Sequence, residues 1–223
     1  MNNIIKNWEK NKNFLKQNHI YNDLDEHSSC GVGLIASLDG EPNQEVVQMG
    51  VQALKCLYHR GAVDADGKTG DGAGIQLSIP NDFFIDKIER TGQKPNNLPF
   101  AVGMIFLPRT DFVAQEKSRT IVESEIIRGG FKIFGWRHVP INSSIIGEKA
   151  KATRPEIEQI LVFNDRFERK TELDKQLFIV RKRIEKEIRK QNISNFYICS
   201  LSSQSIVYKG MFLAEQLSNF YPD

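Results

Sequence analysis

The sequence predicts an α+β protein in which helices are layered on sheets. Three observations carry that expectation. Short apolar runs of strand length recur along the chain, several of them closed by proline. Longer stretches with a 3.6-residue apolar period lie between them. No internal repeat or low-complexity linker interrupts the alternation, so one domain accounts for most of the 223 residues.

The first 29 residues, MNNIIKNWEKNKNFLKQNHIYNDLDEHSS, mix Lys and Asn with scattered Ile, Trp, Phe and Leu. They have no apolar core of the secretory kind. They read as a leader, which is either removed to expose Cys30 or is a disordered extension. Residues 31–38, GVGLIASL, read as a buried strand, and 39–43, DGEPN, as a turn. Asn43 is suited to cap a helix with Val46, Gly50, Ala53, Leu54 and Leu57 on one face. GAGIQLSIP (72–80) and AVGMIFLP (101–108) read as strands. A capped helix comes next between Asp111 and Gly129–Gly130, with Val113, Val122 and Ile126 among its apolar positions. FKIFGWRHVPIN (131–142) and EQILVFN (158–164) are further strands. The clearest helix spans 173–191, where Leu173, Leu177, Val180, Ile184 and Ile188 keep the helical period. FYICSLSSQSIVYKG (196–210) reads as a hairpin with a polar turn, and MFLAEQL (211–217) as a short last helix.

Bulk properties exclude several functions. A net charge of +2 gives no general attraction to nucleic acid or to an anionic membrane. No apolar run approaches the roughly 18 residues of a membrane span. A cytoplasmic location follows as the default. The three cysteines, Cys30, Cys56 and Cys199, form no CxxC pair, so neither a disulfide framework nor a zinc site is expected.

Chemistry concentrates in two places. Cys30 stands at the mouth of the first expected strand. It is either a small buried hydrophobe or a nucleophile. No His stands at a telling spacing. If cleavage made Cys30 the first residue, however, its own α-amine, with an unperturbed pKa of about 7.7–8.0, would serve as the base. Gly31 and Gly33 would then let backbone and substrate approach. The second place is YHRGAVDADGKTGDGAGI (58–75), whose five interior glycines and three aspartates describe a tight loop between a helix and a strand. A phosphate loop is a weak reading of its Gly-Lys-Thr. Position 62 is Ala where that motif needs Gly, and the segment runs from helix to strand rather than the reverse. Arg60 offers a guanidinium suited to binding a carboxylate bidentately. The basic run RKRIEKEIRK (181–190) carries interleaved Glu on an apolar period, the signature of a solvated helix face rather than a nucleic-acid site. GEKAKATRPEIEQ (147–159) is charged and turn-like.

CGVGLIAS, ALKCLYHRGAVDADGKTGDGAGI, GWRHVPIN, IGEKAKATRPEIEQI and FYICSLSSQSIVYKGMFLAEQLSNFYPD together resemble the N-terminal glutamine amidotransferase domain of glutamate synthase large subunits. The resemblance runs from Cys30 to Asp223. It implies an αββα sandwich of N-terminal-nucleophile hydrolase type. Residues 1–29 would be a leader or propeptide and 30–223 a partial amidotransferase domain, incomplete at the C-terminus. It implies that Cys30 attacks the side-chain amide of glutamine, with Gly31 next to it in the active-site turn and Arg60 near the substrate pocket. It implies no cofactor or metal in this stretch, since the family's flavin and iron–sulfur cluster belong to other domains.

The family's oxyanion-hole Asn-Gly and its substrate-clamping Arg-(Tyr/Phe)-Ser-Thr occur nowhere in this sequence. Weak activity or none is therefore expected of this stretch alone. The competing expectation is a non-catalytic remnant, or a module completed by a separate chain.

Overall fold

The computed structural model describes residues 2–18, 31–57, 61–95, 99–167 and 169–222. It divides into two units, Met1–Gly31 and Val32–Asp223. In the first, helix α1 (Asn2–Asn18) stands where a disordered extension is one reading of the sequence. Its run of Lys, Glu, Leu and Gln has no Pro or Gly to break it, and Asn18 donates to the Phe14 carbonyl in its last turn at 2.9 Å.

The second unit is built on an antiparallel sheet of four strands in the order β3-β4-β2-β5. These are β2 (Phe100–Leu107), β3 (Lys132–His138), β4 (Glu156–Phe163) and β5 (Tyr197–Ser202). A separate two-stranded antiparallel sheet pairs β1 (Ala73–Ser78) with β6 (Ser205–Gly210). Helices α4 (Phe112–Arg128) and α6 (Lys170–Lys190) cover one face of the larger sheet. Val122, Ile126, Leu173, Leu177, Val180, Ile184 and Ile188 pack there on Ala101, Ile105, Leu107, Ile160 and Val162. The opposite face supplies Val102, Met104, Ile157 and Leu161 to a second core shared with Ile206 of the smaller sheet. That core also takes Phe84 and Ile88 of α3 (Asn81–Glu89) and Phe220 of α7 (Leu217–Phe220). Helix α2 (Gln44–Cys56) packs against β1, bringing Leu54 to the same cluster.

Helix starts follow the expected capping. Asn43 accepts from the amide of Glu45, and Asp111 from that of Ala114. Along α6 all five residues of the expected period are buried. On α4 the expectation holds for Val122 and Ile126 but not for Val113, which is 80% exposed. The buried stripe is instead continued toward the N-terminus by Ser118 and Gln115. Their polar atoms are satisfied by the carbonyls of Ala114 at 2.7 Å and Pro108 at 2.8 Å.

Three further expectations are corrected. Residues 31–38 form no strand, and Val32, Leu34 and Leu38 are almost fully exposed. Two glycines in the first three positions weaken extended structure, and among the described residues no strand lies alongside to supply a ladder. The 196–210 segment is not a paired hairpin: β5 bonds to β2, whereas β6 bonds to β1. Strand β5 also carries one extra residue opposite β2. Ser200 faces Met104 and Ile198 faces Ile105, which leaves Cys199 between them outside the ladder. Cys199 and Ser200 then reach the backbone of Val207 through their side chains, at 3.4 and 3.2 Å. Asp174 of α6 pins the turn by accepting from Ser202, Ser203 and Gln204. Finally, the last helix begins later than 211, as a 3-10 turn at Ala214–Gln216 leading into α7.

Leu177→Ala is expected to lower unfolding stability by about 2–5 kcal/mol in chemical denaturation, the cost of a cavity at a fully buried leucine. Phe178→Ala, one residue on and 59% exposed, is expected to change it by less than about 0.5 kcal/mol.

Candidate active site

Cys30 and Arg60 lie outside the described residues. Gly31, exposed and without regular secondary structure, opens the described run next to the cysteine. The loop that leaves Arg60 is described from Gly61 onward.

Residues 61–72 fold back on themselves. Asp71 donates its amide to the Ala62 carbonyl at 3.2 Å, and Asp64 to that of Thr69 at 2.9 Å, with a single bridge between Val63 and Gly70. Gly67, at φ +68°, makes the tip and returns its amide to Asp64 at 2.9 Å. Inside the turn Asp66 is the acceptor for three donors: the amides of Lys68 at 2.9 Å and Thr69 at 2.7 Å, and the Thr69 hydroxyl at 2.6 Å. The phosphate-loop reading of Gly-Lys-Thr fails on this geometry. The amides that would cradle a phosphate are committed to a carboxylate of the loop itself.

The loop is also held from outside. Helix α5 (Glu148–Thr153) presents its first turn to it, with the Lys149 ammonium paired with Asp64. A Cβ on Gly147, the residue that leads into α5, would overlap the Asp66 carboxylate and the Thr69 hydroxyl, so only glycine fits. The side-chain amide of Gln216 donates to the carbonyls of Lys68 at 3.1 Å and Ile145 at 3.0 Å. Gly70 meets the backbone of Phe212 so closely that no side chain could replace its hydrogen. Thr69 and Gly70 are buried, whereas Asp66 is exposed.

These donors set the electrostatics. The Thr69 hydroxyl first, then the amides of Lys68 and Thr69, hold the Asp66 carboxyl down to about 2 from its usual 3.8. Asp64 is also lowered, chiefly by its hydrogen bond from Lys149, whose ammonium is raised in return. Burial pushes the Cys199 thiol up to about 11, which marks it as a packed hydrophobe rather than a nucleophile. Among the described residues no cluster of three or more His, Cys, Asp or Glu is arranged to hold a metal. Within the basic run on α6, Arg181 and Lys182 pair with Glu185, and Lys190 with Glu187. A cavity of about 280 Å³ between the start of α4 and the end of α6 is lined by none of the candidate site residues named from the sequence.

The described fold is α+β with two antiparallel sheets. Over residues 30–223 the chain matches the family described as Glutamine amidotransferases class-II, and it belongs to that family. It is 53% identical over 220 residues to the glutamate synthase (NADPH) large chain of Azospirillum brasilense, covering 99% of this chain. It is 41% identical over 202 residues to ferredoxin-dependent glutamate synthase 1, chloroplastic/mitochondrial, of Arabidopsis thaliana, and 38% identical over 202 residues to the chloroplastic ferredoxin-dependent enzyme of Spinacia oleracea. Each of those matches covers 90% of this chain. The chain spans only 14% of the first relative's length and 12% of the other two. No described helix is long and apolar enough to cross a membrane.

The sequence reading missed the clasp on the loop. Its partners, Gly147, Lys149 and Gln216, stand roughly 80 to 150 positions away, and no local pattern announces such distant contacts.

A folded-state carboxyl held below its usual value stabilises above pH 3.8, and that contribution is lost as pH falls through about 2. The Asp66 carboxyl resonance is therefore expected to titrate well below a model aspartate, with the Lys68 and Thr69 amides losing exchange protection in the same window. Gly147→Ala is expected to destabilise the chain by about 1–3 kcal/mol in denaturant unfolding, an overpacking cost.

Proposed function

We propose that this chain is a glutaminase domain of glutamate-synthase type that releases ammonia from glutamine through Cys30. The single observation that carries the reading is that the family match begins on Cys30 itself. The 53% identity to a glutamate synthase large chain supports the particular type.

The mechanism follows from the residue types. Removal of residues 1–29 would make Cys30 the first residue. Its free α-amine takes the thiol proton, and the sulfur attacks the side-chain carbonyl carbon of glutamine. The tetrahedral oxyanion collapses, the C–N bond breaks, and ammonia leaves with the proton held by the α-ammonium. Water, deprotonated by the same amine, then cleaves the glutamyl thioester and returns the thiol. Gly31 leaves room at the nucleophile, and Arg60 supplies a cation to bind the substrate.

The chemistry itself needs no flavin, iron–sulfur cluster or metal. The sequence lacks an Asn-Gly pair and an Arg-(Tyr/Phe)-Ser-Thr segment. This 223-residue stretch by itself is therefore proposed to turn over weakly or not at all, since loss of one oxyanion donor alone costs about 10²–10³ in rate. Full activity would need those segments, in the same polypeptide or in a partner chain. The leader's want of an apolar core supports the cytoplasm as its location.

The test is the intact mass of the protein purified from its native cell, before and after exposure to an electrophilic glutamine analogue. A mass beginning at Cys30 that gains one analogue, with no gain in Cys30→Ala, is the expected result. A mass that retains residues 1–29 and gains nothing would overturn the reading.

A further inference from the structure

We infer that helix α1 is a docking element for an anionic lipid bilayer, lying flat among the headgroups with Ile5, Trp8 and Leu15 turned into them. The inference is independent of the glutaminase reading and concerns the chain that still carries residues 1–29.

Three properties of α1 lead to it. The first is an apolar stripe that serves no core. Ile5, Trp8 and Leu15 stand at i, i+3 and i+10, within about a quarter-turn of one another on a helix of 3.6 residues per turn. All three are exposed, Trp8 by 60%, and neither core cluster includes a residue of α1. The second is charge. Four lysines against one glutamate give these 17 residues a net +3, one more than the +2 of the whole chain. The positive charge is therefore local to α1, and the remainder of the chain has no net attraction for an anionic surface. The third is where the lysines stand. Lys12 and Lys16 border the apolar stripe, with the Lys12 ammonium 5.0 Å from the centre of the Trp8 ring, while Lys6 and Lys10 fall on the other side of the helix. A lysine at the border lays its methylenes along the apolar face and keeps its ammonium among phosphates.

This combination sets the occupant. The partner must be negative at its surface and apolar just beneath, and a bilayer of acidic lipid offers both along the whole length of the helix. No described helix is long and apolar enough to cross a membrane, so α1 lies in the interface rather than through it. An indole on the apolar side suits that depth, because its ring is amphipathic and settles at headgroup level. Lysine without arginine also fits a diffuse field of phosphates better than a bidentate grip on one group.

The full 223-residue chain is sedimented with vesicles of equimolar phosphatidylglycerol and phosphatidylcholine, and separately with vesicles of phosphatidylcholine alone. At low salt it is expected to bind the anionic vesicles more than about tenfold tighter, since each lysine near such a surface adds roughly fivefold. Molar salt is expected to remove most of that preference. Lys12→Gln and Lys16→Gln are each expected to weaken anionic binding about fivefold, and Leu15→Ser about tenfold. Trp8 emission is expected to move to shorter wavelength on anionic vesicles; Trp8→Phe loses that shift and still sediments. Equal binding to both kinds of vesicle overturns the proposal, and so does anionic binding that Leu15→Ser and the two lysine variants leave unchanged. Failure to sediment overturns it too. If the chain is then a dimer that Leu15→Ser dissociates, the stripe belongs to a second copy; if Trp8 already emits as a buried indole without vesicles, the stripe is covered within the chain.

Discussion

Strand β2 has almost no contact with water, and the arrangement of the second unit follows from that. Seven of its eight residues are buried. Because side chains alternate across a strand, one half of β2 must be covered by one layer and the other half by another. Ala101, Ile105 and Leu107 are covered by α4 and α6; Phe100, Val102 and Met104 are covered by the core shared with the smaller sheet. Gly103 fits between Ile160 and Leu201 only because it has no Cβ. Strands β4 and β5 flank β2 on either side, β4 along its whole length and β5 over Val102–Phe106, so the middle of this desolvated strand has ladder partners on both edges. The loops at the edges of the structure are free to carry chemistry because this centre does not depend on them.

Elements governed by local period were legible in the sequence. Helix α6 shows its buried stripe in five residues, and β1, β2, β3 and β4 stand close to their expected positions because each is a short apolar run between breakers. What the sequence did not disclose was how those runs associate. Residues 31–38 have strand composition, yet a strand exists only beside another, and composition does not specify the neighbour. The same limit applies to β5 and β6. Their sequence is that of a hairpin, yet β5 joins β2 and β6 joins β1 in a different sheet. Val113 fits the apolar pattern of α4 and faces water nonetheless. Gln115 and Ser118 can be buried at the helix N-terminus because carbonyls stand ready to satisfy them. A periodicity argument counts polar residues as exposed and has no means of seeing those partners.

The candidate site was legible to an uneven degree for a similar reason. Cys30 and Arg60 were singled out by functional-group chemistry, which is a property of the residue type. The clasp around Asp66 was not, because it is a property of three dimensions. Gly-Lys-Thr carries a local suggestion of a phosphate loop, and only the placement of the Asp66 carboxylate shows that its amides are already spoken for. GEKAKATRPEIEQ said nothing alone; its Gly147 and Lys149 have meaning only against residues 64–69.

Loop 61–72 is held by a different kind of bonding from the sheets: most of its residues are exposed, and burial of apolar side chains does not fix them. Hydrogen bonds to a charged acceptor provide a substitute, because they are directional and stay strong at partial exposure. Asp66 supplies such an acceptor within a run of glycines whose backbone would otherwise have many shapes open to it. The apolar cores make the domain stable. The carboxylate does what they cannot, confining a polar loop to one shape while leaving it open to solvent.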